Sequence, residues 1–257
     1  AYPGPLQKTL TPAPKGYEPF YLSHYGRHGS RWLIGKRDYQ QPVKWLEKAD
    51  TLGKLTPKGR EVLHKLCLLR DAAKGRDGEL TQLGAEQHRG IAERMIRNFP
   101  EIFKGKTHVD AKSTVVIRCI LSMENALQQL VRMNPQLDIT HDASYHDMYY
   151  MNHNDTSLFK QRMPKEAREA YDAFSKRHIH PERVMRELFN DDSYWQKEVN
   201  YKELYKTLYK QASNIQSTEL RHKMSLYDLF TADELYDLWA TTNAWRNINY
   251  RPTPLNG

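Results

Sequence analysis

The sequence predicts an α/β fold followed by a mainly helical part, on three observations. Short runs of β-formers recur in residues 1–150: Phe20-Tyr21-Leu22-Ser23, the neighbourhood of Val109, Val115-Val116-Ile117 and Leu137-Asp138-Ile139-Thr140. Two longer helical patterns lie between the first and second of these runs, and strand–helix–helix–strand order is that of a layered α/β domain. From about Asp155 to Asn247 strand signals stop, and helical patterns rich in Lys, Glu and Tyr take over. The expected division is therefore 1–150 for the core and 151–250 for a helical insertion or cap.

The elements follow in order. Ala1 to Pro19 carries five prolines and reads as an extended surface leader. Pro19 bounds the first predicted strand, Phe20–Ser23, which runs into His24-Tyr25-Gly26-Arg27-His28-Gly29-Ser30-Arg31. Gly35-Lys36-Arg37 reads as a basic turn, either solvated or in contact with a substrate. Pro42 can open a short helix through Trp45 and Leu46. Thr56 is a good N-cap with Pro57 at the first helical position, and Val62, Leu66, Leu69 and Ala73 then share one face, with Gly75 to stop the helix. Thr81 caps the next helix to about Asn98, with Ile91 and Met95 on its buried side. Gly84 and Gly90 would weaken that helix in isolation, so their use is close packing against a sheet.

Val115-Val116-Ile117 has the apolar character of a central, doubly covered strand. Arg118 would then stand at its carboxyl end, where an α/β sheet places its ligands. Ser122 reads as the N-cap of a helix through Ala126, Leu127, Leu130 and Val131. His141-Asp142 and Tyr145-His146-Asp147 read as a polar loop, with a metal or acid/base use as the alternative. Thr231-Ala232-Asp233-Glu234 is a capping box for a helix carrying Leu235, Leu238 and Trp245.

Composition bounds the function. Hydrophobic residues make up 39% and charged residues 27%, as in a water-soluble globular protein, and no apolar run is long enough to span a bilayer. No charged-then-apolar signal opens the chain, which fits a cytosolic protein or one already processed. A net charge of +8 favours a polyanionic partner. The basic residues are dispersed, without a basic arm, which argues against nucleic acid. Cys67 and Cys119 have no metal-ligand spacing and read as buried thiols or a single disulfide.

The chemistry concentrates around His28. Gly26 and Gly29 let the backbone bend tightly about an imidazole set between Arg27 and Arg31. Planar guanidinium forks suit the oxygens of a phosphate, and a neutral imidazole beside a bound phosphate can act as nucleophile.

Arg27-His28-Gly29-Ser30-Arg31 resembles the R-H-G-x-R signature of the histidine phosphatases, in the acid phosphatase and phytase branch. Leu80-Thr81-Gln82-Leu83-Gly84-Ala85-Glu86-Gln87 is similar to that family's L-T-x-x-G-x-x-Q helix opening. Ser113-Thr114-Val115-Val116-Ile117-Arg118-Cys119-Ile120-Leu121-Ser122 is similar to its s-T-x-x-x-R-x-x-x-S stretch. Within the family the chain most resembles the multiple inositol polyphosphate phosphatases. Where the pattern continues x-Pro-Thr, this chain has Trp32-Leu33-Ile34, a change of loop shape and of one hydroxyl contact.

The resemblance implies a three-layer α/β core with a mixed central sheet and a helical cap. It implies His28 as nucleophile, with Arg27, Arg31 and Arg118 as phosphate ligands. It implies no cofactor and no metal, and an exported compartment, periplasmic or secreted. The substrate would be a small polyanion such as phytate or another inositol polyphosphate. A mutase-like phosphoryl transferase and an inactive polyanion-binding fragment are the alternatives. The family's later His-Ala-Glu or His-Asp motif finds no counterpart after the helical part. The expectation is therefore a chain lacking its C-terminal half, which a separate chain could supply.

Overall fold

The computed structural model describes residues 11–151 and 164–250, with Tyr149, Tyr150 and Tyr250 described by backbone alone. In chain order its helices are α1 (Lys36–Thr51), α2 (Pro57–Ala73), α3 (Gln82–Asn98), α4 (Ile117–Met133), α5 (Lys165–His178), α6 (Glu182–Leu188), α7 (Asp192–Glu198), α8 (Tyr201–Ile215) and α9 (Ala232–Tyr250). Strands β1 (His108–Lys112) and β2 (Asp138–Asp142) flank α4.

The chain divides into two compact units, each drawn from two segments. Unit 1 takes the described residues of Ala1–Arg31 and Glu79–His153, and unit 2 those of Trp32–Gly78 and Asn154–Gly257. A single boundary near residue 150 therefore does not describe the chain. Residues 32–78 share one apolar core with the helices beyond residue 164, which includes Val43, Leu46, Leu66, Leu69, Val184, Leu188, Leu204 and Leu208.

Unit 1 is organised by a β–α–β crossover. β1 and β2 pair in parallel, from His108 opposite Asp138 to Lys112 opposite Asp142. A parallel pair cannot be joined by a tight turn, and α4 supplies the crossover. α3 packs along α4, and Ala92, Phe103, Leu127 and Leu130 form the buried centre, with Val109, Ala111 and Ile139 contributed by the strands. β1 and β2 fulfil the expectations at Val109 and Leu137–Thr140.

Two expected strands do not form. Phe20–Ser23 forms no strand, with Phe20 94% and Tyr21 74% exposed. A β-former run becomes a strand only where an edge takes its hydrogen bonds. Val115–Ile117 is the lead-in and first residue of α4, so Arg118 stands in the first turn of a helix and not at a strand end. Ser122 lies within α4 and not at its cap; its Oγ donates to the Arg118 carbonyl at 2.8 Å, one helical turn back.

Unit 2 is helical, as expected for its later segment. Thr56 caps α2, its Oγ1 accepting from Gly59 N at 2.9 Å, and Val62, Leu66, Leu69 and Ala73 are buried as the spacing predicts. The capping box is complete: Glu234 N donates to Thr231 Oγ1 at 3.2 Å, and Thr231 N to Glu234 Oε2 at 2.8 Å. Leu238 is buried, whereas Trp245 is 41% exposed. α1 begins at Lys36, inside the expected basic turn, and carries Pro42 in its interior. Arg37 pairs with Glu203 at 3.1 Å and Lys36 with Asp77 at 3.7 Å, so both cations are engaged within the unit. Cys67 and Cys119 are free thiols, so the disulfide alternative does not hold. No described helix is long and apolar enough to cross a membrane.

Candidate active site

The Arg27–Arg31 loop is held by its backbone, and α3 does most of the holding. Thr81 caps that helix, its Oγ1 accepting from Gly84 N at 3.2 Å. Its backbone N and Oγ1 both donate to the Ser30 carbonyl, at 2.9 and 3.0 Å. Gln87 Oε1 accepts from Ser30 N at 2.9 Å. His88 Nε2 lies 3.0 Å from the Arg27 carbonyl and must donate, because a carbonyl can only accept. Gly84 lets the helix approach closely, since a Cβ added there would meet Ser30 N at 2.9 Å. The close packing expected of Gly84 is therefore real, against the loop and not a sheet.

From the other side α4 reaches the same loop. Gly29 N donates to Ser122 Oγ at 3.1 Å, and that hydroxyl donates in turn to the Arg118 carbonyl. One serine thus ties the histidine loop to the helical turn that carries Arg118. The sequence motifs marked Thr81, Gly84, Gln87 and Ser122 by spacing alone. His88 was not marked, and its only signal is its place directly after Gln87.

The geometry fixes the state of His28. Its Nδ1 lies 2.8 Å from the Gly29 carbonyl, so Nδ1 carries the proton and Nε2 keeps its lone pair. Burial is the main cause that holds its pKa below the usual imidazole value; the Gly29 bond opposes this, and Arg27, Arg118 and Arg31 push it further down. Three guanidiniums therefore converge electrostatically on one neutral imidazole. Arg27 is exposed, while His28, Arg31 and Arg118 are partly buried. Arg118 Nε and Thr114 Oγ1 are buried without a hydrogen-bond partner among the described residues. Buried donors of this kind are costly unless something fills them.

A cavity of about 750 Å³ borders His28 within unit 1. Its walls are largely apolar, with Ile91, Met95, Phe103, Val109 and Leu127 among them, and Arg27, His24 and His88 also line it. Ile91 and Met95 are consequently only half-buried.

The two His-Asp pairs have local partners. His141 Nδ1 meets Glu124 Oε1 at 2.7 Å, Asp142 accepts from Ala143 N at 2.7 Å, and Asp147 lies 3.7 Å from Lys112 Nζ. Among the described residues no group of three or more His, Cys, Asp or Glu side chains could hold a metal ion. Trp32 and Leu33, in place of the family's next residues, are buried at 1% and 8% exposure in the core of unit 2. The Arg76 guanidinium lies over the Trp32 ring at 5.0 Å. An apolar anchor thus follows Arg31 directly.

No family model and no curated protein matches the chain. Among solved structures it is similar to the multiple inositol polyphosphate phosphatase of Bifidobacterium longum. In complex with inositol hexasulfate, that structure matches with TM-score 0.67 and 17% identity over 93% of this chain and 66% of that one. The phosphate complex matches at 0.65 and 16%, over 91% and 63%. The apo form matches at 0.68 and 17%, over 93% and 65%. The likeness is one of fold, and this chain spans about two thirds of those structures' length.

Proposed function

We propose that the chain carries the phosphate-binding and nucleophilic part of a phosphomonoester hydrolase that acts through a phosphohistidine. The observation that supports this best is the neutral His28, its Nε2 lone pair free, within the field of Arg27, Arg31 and Arg118. His28 Nε2 attacks phosphorus and the ester P–O bond breaks, the alcohol leaving with a proton from an acid. Water then cleaves the P–N bond and releases inorganic phosphate. The guanidiniums neutralise the charge that builds on the phosphoryl oxygens, the dominant task in such transfers. A phosphate would also give the buried Arg118 Nε its missing acceptor.

The substrate class proposed is inositol polyphosphate, phytate first, on the likeness of fold and the net charge of +8. The same reading assigns unit 1 to part of a three-layer α/β core with a mixed sheet, and unit 2 to a helical insertion. It also assigns an exported compartment.

The leaving-group acid is assigned to a further polypeptide segment that completes unit 1. Two features support such a segment, with one general rule. The apolar cavity beside His28 is large, β1 pairs with β2 alone among the described strands, and an isolated two-stranded sheet is marginal in water.

Phosphate release from phytate by the chain, beside its His28→Ala variant, tests the reading. Release that disappears in the variant supports it. Equal release from both proteins refutes the nucleophile. No release, with phytate still protecting the chain against heat, leaves a binding module whose acid lies elsewhere.

A further inference from the structure

The loop around His28 is gripped at consecutive backbone groups, and the grips are not equivalent. Thr81 and Gln87 hold Ser30, and Ser122 holds Gly29. All three act on the chain after the imidazole. His88 alone among these side chains acts on the chain before it, by donating to the Arg27 carbonyl. That carbonyl belongs to the peptide unit whose nitrogen is His28's own. Its plane sets the direction in which the His28 side chain leaves the backbone, and hence where Nε2 points.

His88 is suited to a fixed position. It is 8% exposed, in the second turn of α3, next to Gln87 and three residues before Ile91, which lines the cavity with it. Burial holds its pKa below the usual imidazole value, with the Arg27 carbonyl opposing and His24 adding to the fall. A neutral ring with its proton on Nε2 is a directed single donor, and it adds no charge beside Arg27 and His28.

We propose that His88 is the positioning residue for His28, holding the Arg27 carbonyl so that the imidazole keeps the orientation in-line attack requires. This rests on the phosphohistidine reading above. Because Thr81, Gln87 and Ser122 grip the loop independently, losing His88 leaves the loop folded and frees only the Arg27–His28 peptide. A displacement of about 1 Å at a reacting group can cost on the order of a hundredfold in rate.

The test compares His88→Leu, which removes the donor, with His88→Gln, whose amide N–H reaches a similar distance from the backbone. With phytate as substrate, His88→Leu should lower kcat about ten- to a hundredfold with little change in KM. His88→Gln should recover most of that loss. Thermal protection by inositol hexasulfate should stay as in the unmodified chain for both variants. Nitrogen NMR of the His28 ring supplies a readout that needs no turnover. His88→Leu should move its Nδ1 and Nε2 signals toward those of a mobile imidazole, and His88→Gln should keep them in place. A chain that releases no phosphate counts against the proposed reaction, and the ring signals then decide the positioning alone. Unchanged kcat and ring signals in His88→Leu would overturn the proposal. So would equal losses of thermal stability and ligand protection in Leu and Gln variants, which mark a merely structural histidine.

Discussion

Gly29 and Gly84 meet backbone to backbone: a Cβ built on Gly29 would lie 2.6 Å from the Gly84 Cα. Neither can carry a side chain without moving the His28 loop away from the start of α3. Gly84→Ala is expected to cost about 1–3 kcal/mol, the usual range for overpacking a filled site. Chemical unfolding measures that cost. Catalysis should fall further than stability does, because the shift is centred on the residues next to His28. Gly90→Ala is the control, since its added Cβ would meet only the flexible end of Arg94, at 3.3 Å.

Arg118 has a double role in the proposed reaction, and pH separates the two. Its positive charge is one of those that push the His28 pKa down. Arg118→Gln should therefore raise that pKa toward the usual value near 6.5, and the acidic limb of the rate profile should move up in pH. The rate at the optimum should also drop, by on the order of a hundred- to a thousandfold, because a preorganised donor to the phosphoryl oxygens is lost. Arg118→Lys keeps the charge without the fork, so it should retain the acidic limb while recovering little of the rate.

Acid should weaken unit 1 before it protonates the carboxylates. His28 and His88 both have folded-state pKa values below their ordinary 6.5, mainly through burial. In the window between the ordinary value and the depressed ones, the unfolded chain binds more protons than the folded one. Stability therefore rises with pH through that window and is lost as pH falls below about 6.5. Exchange of the Ser30 and Gly29 amides, followed against pH, reads this locally. Replacing His88 by Gln should flatten the dependence, because one of the two buried imidazoles is then absent.

Thr56 joins three roles in unit 2. It caps α2, and its hydroxyl also contacts the carbonyls of Glu187 and Leu188. Its backbone N donates to Leu188 O at 3.0 Å. Thr56→Ala is expected to cost about 1–2 kcal/mol in thermal or urea unfolding. Thr56→Ser, which keeps the oxygen, should recover most of it.

The helix starts were legible because their signals are local. Thr56-Pro57, Thr81 and the Thr231–Glu234 box each satisfy orphan donors of their own first turn, and no distant partner is needed. The strands were legible only in part, because pairing is settled elsewhere in the chain. Phe20–Ser23 has the composition of a strand but pairs with no described strand. Val115-Val116-Ile117 is β-branched, but the residues that follow continue as helix, and tertiary context overrides a propensity this weak. Around His28, the Arg27–Arg31 signature and Arg118 stood out as charged groups beside an imidazole. The grip from His88 did not, since a part-buried hydrogen bond to a carbonyl 61 positions away leaves no pattern in sequence. Pro42 shows the opposite failure: it suggests a helix start, yet α1 already has its first turn in place at Lys36.

The parallel pairing of β1 and β2 has a consequence for how the chain would be watched as it folds. The two strands can meet only after the intervening α4 segment has been laid down, so their sheet is a non-local structure and a slow one to assemble. All five tryptophans, Trp32, Trp45, Trp195, Trp239 and Trp245, belong to unit 2. Indole fluorescence would thus time the helical unit and be blind to the closure of unit 1, which carries His28 and Arg118. A refolding curve that looked finished by that light would still leave the half with the chemistry unaccounted for.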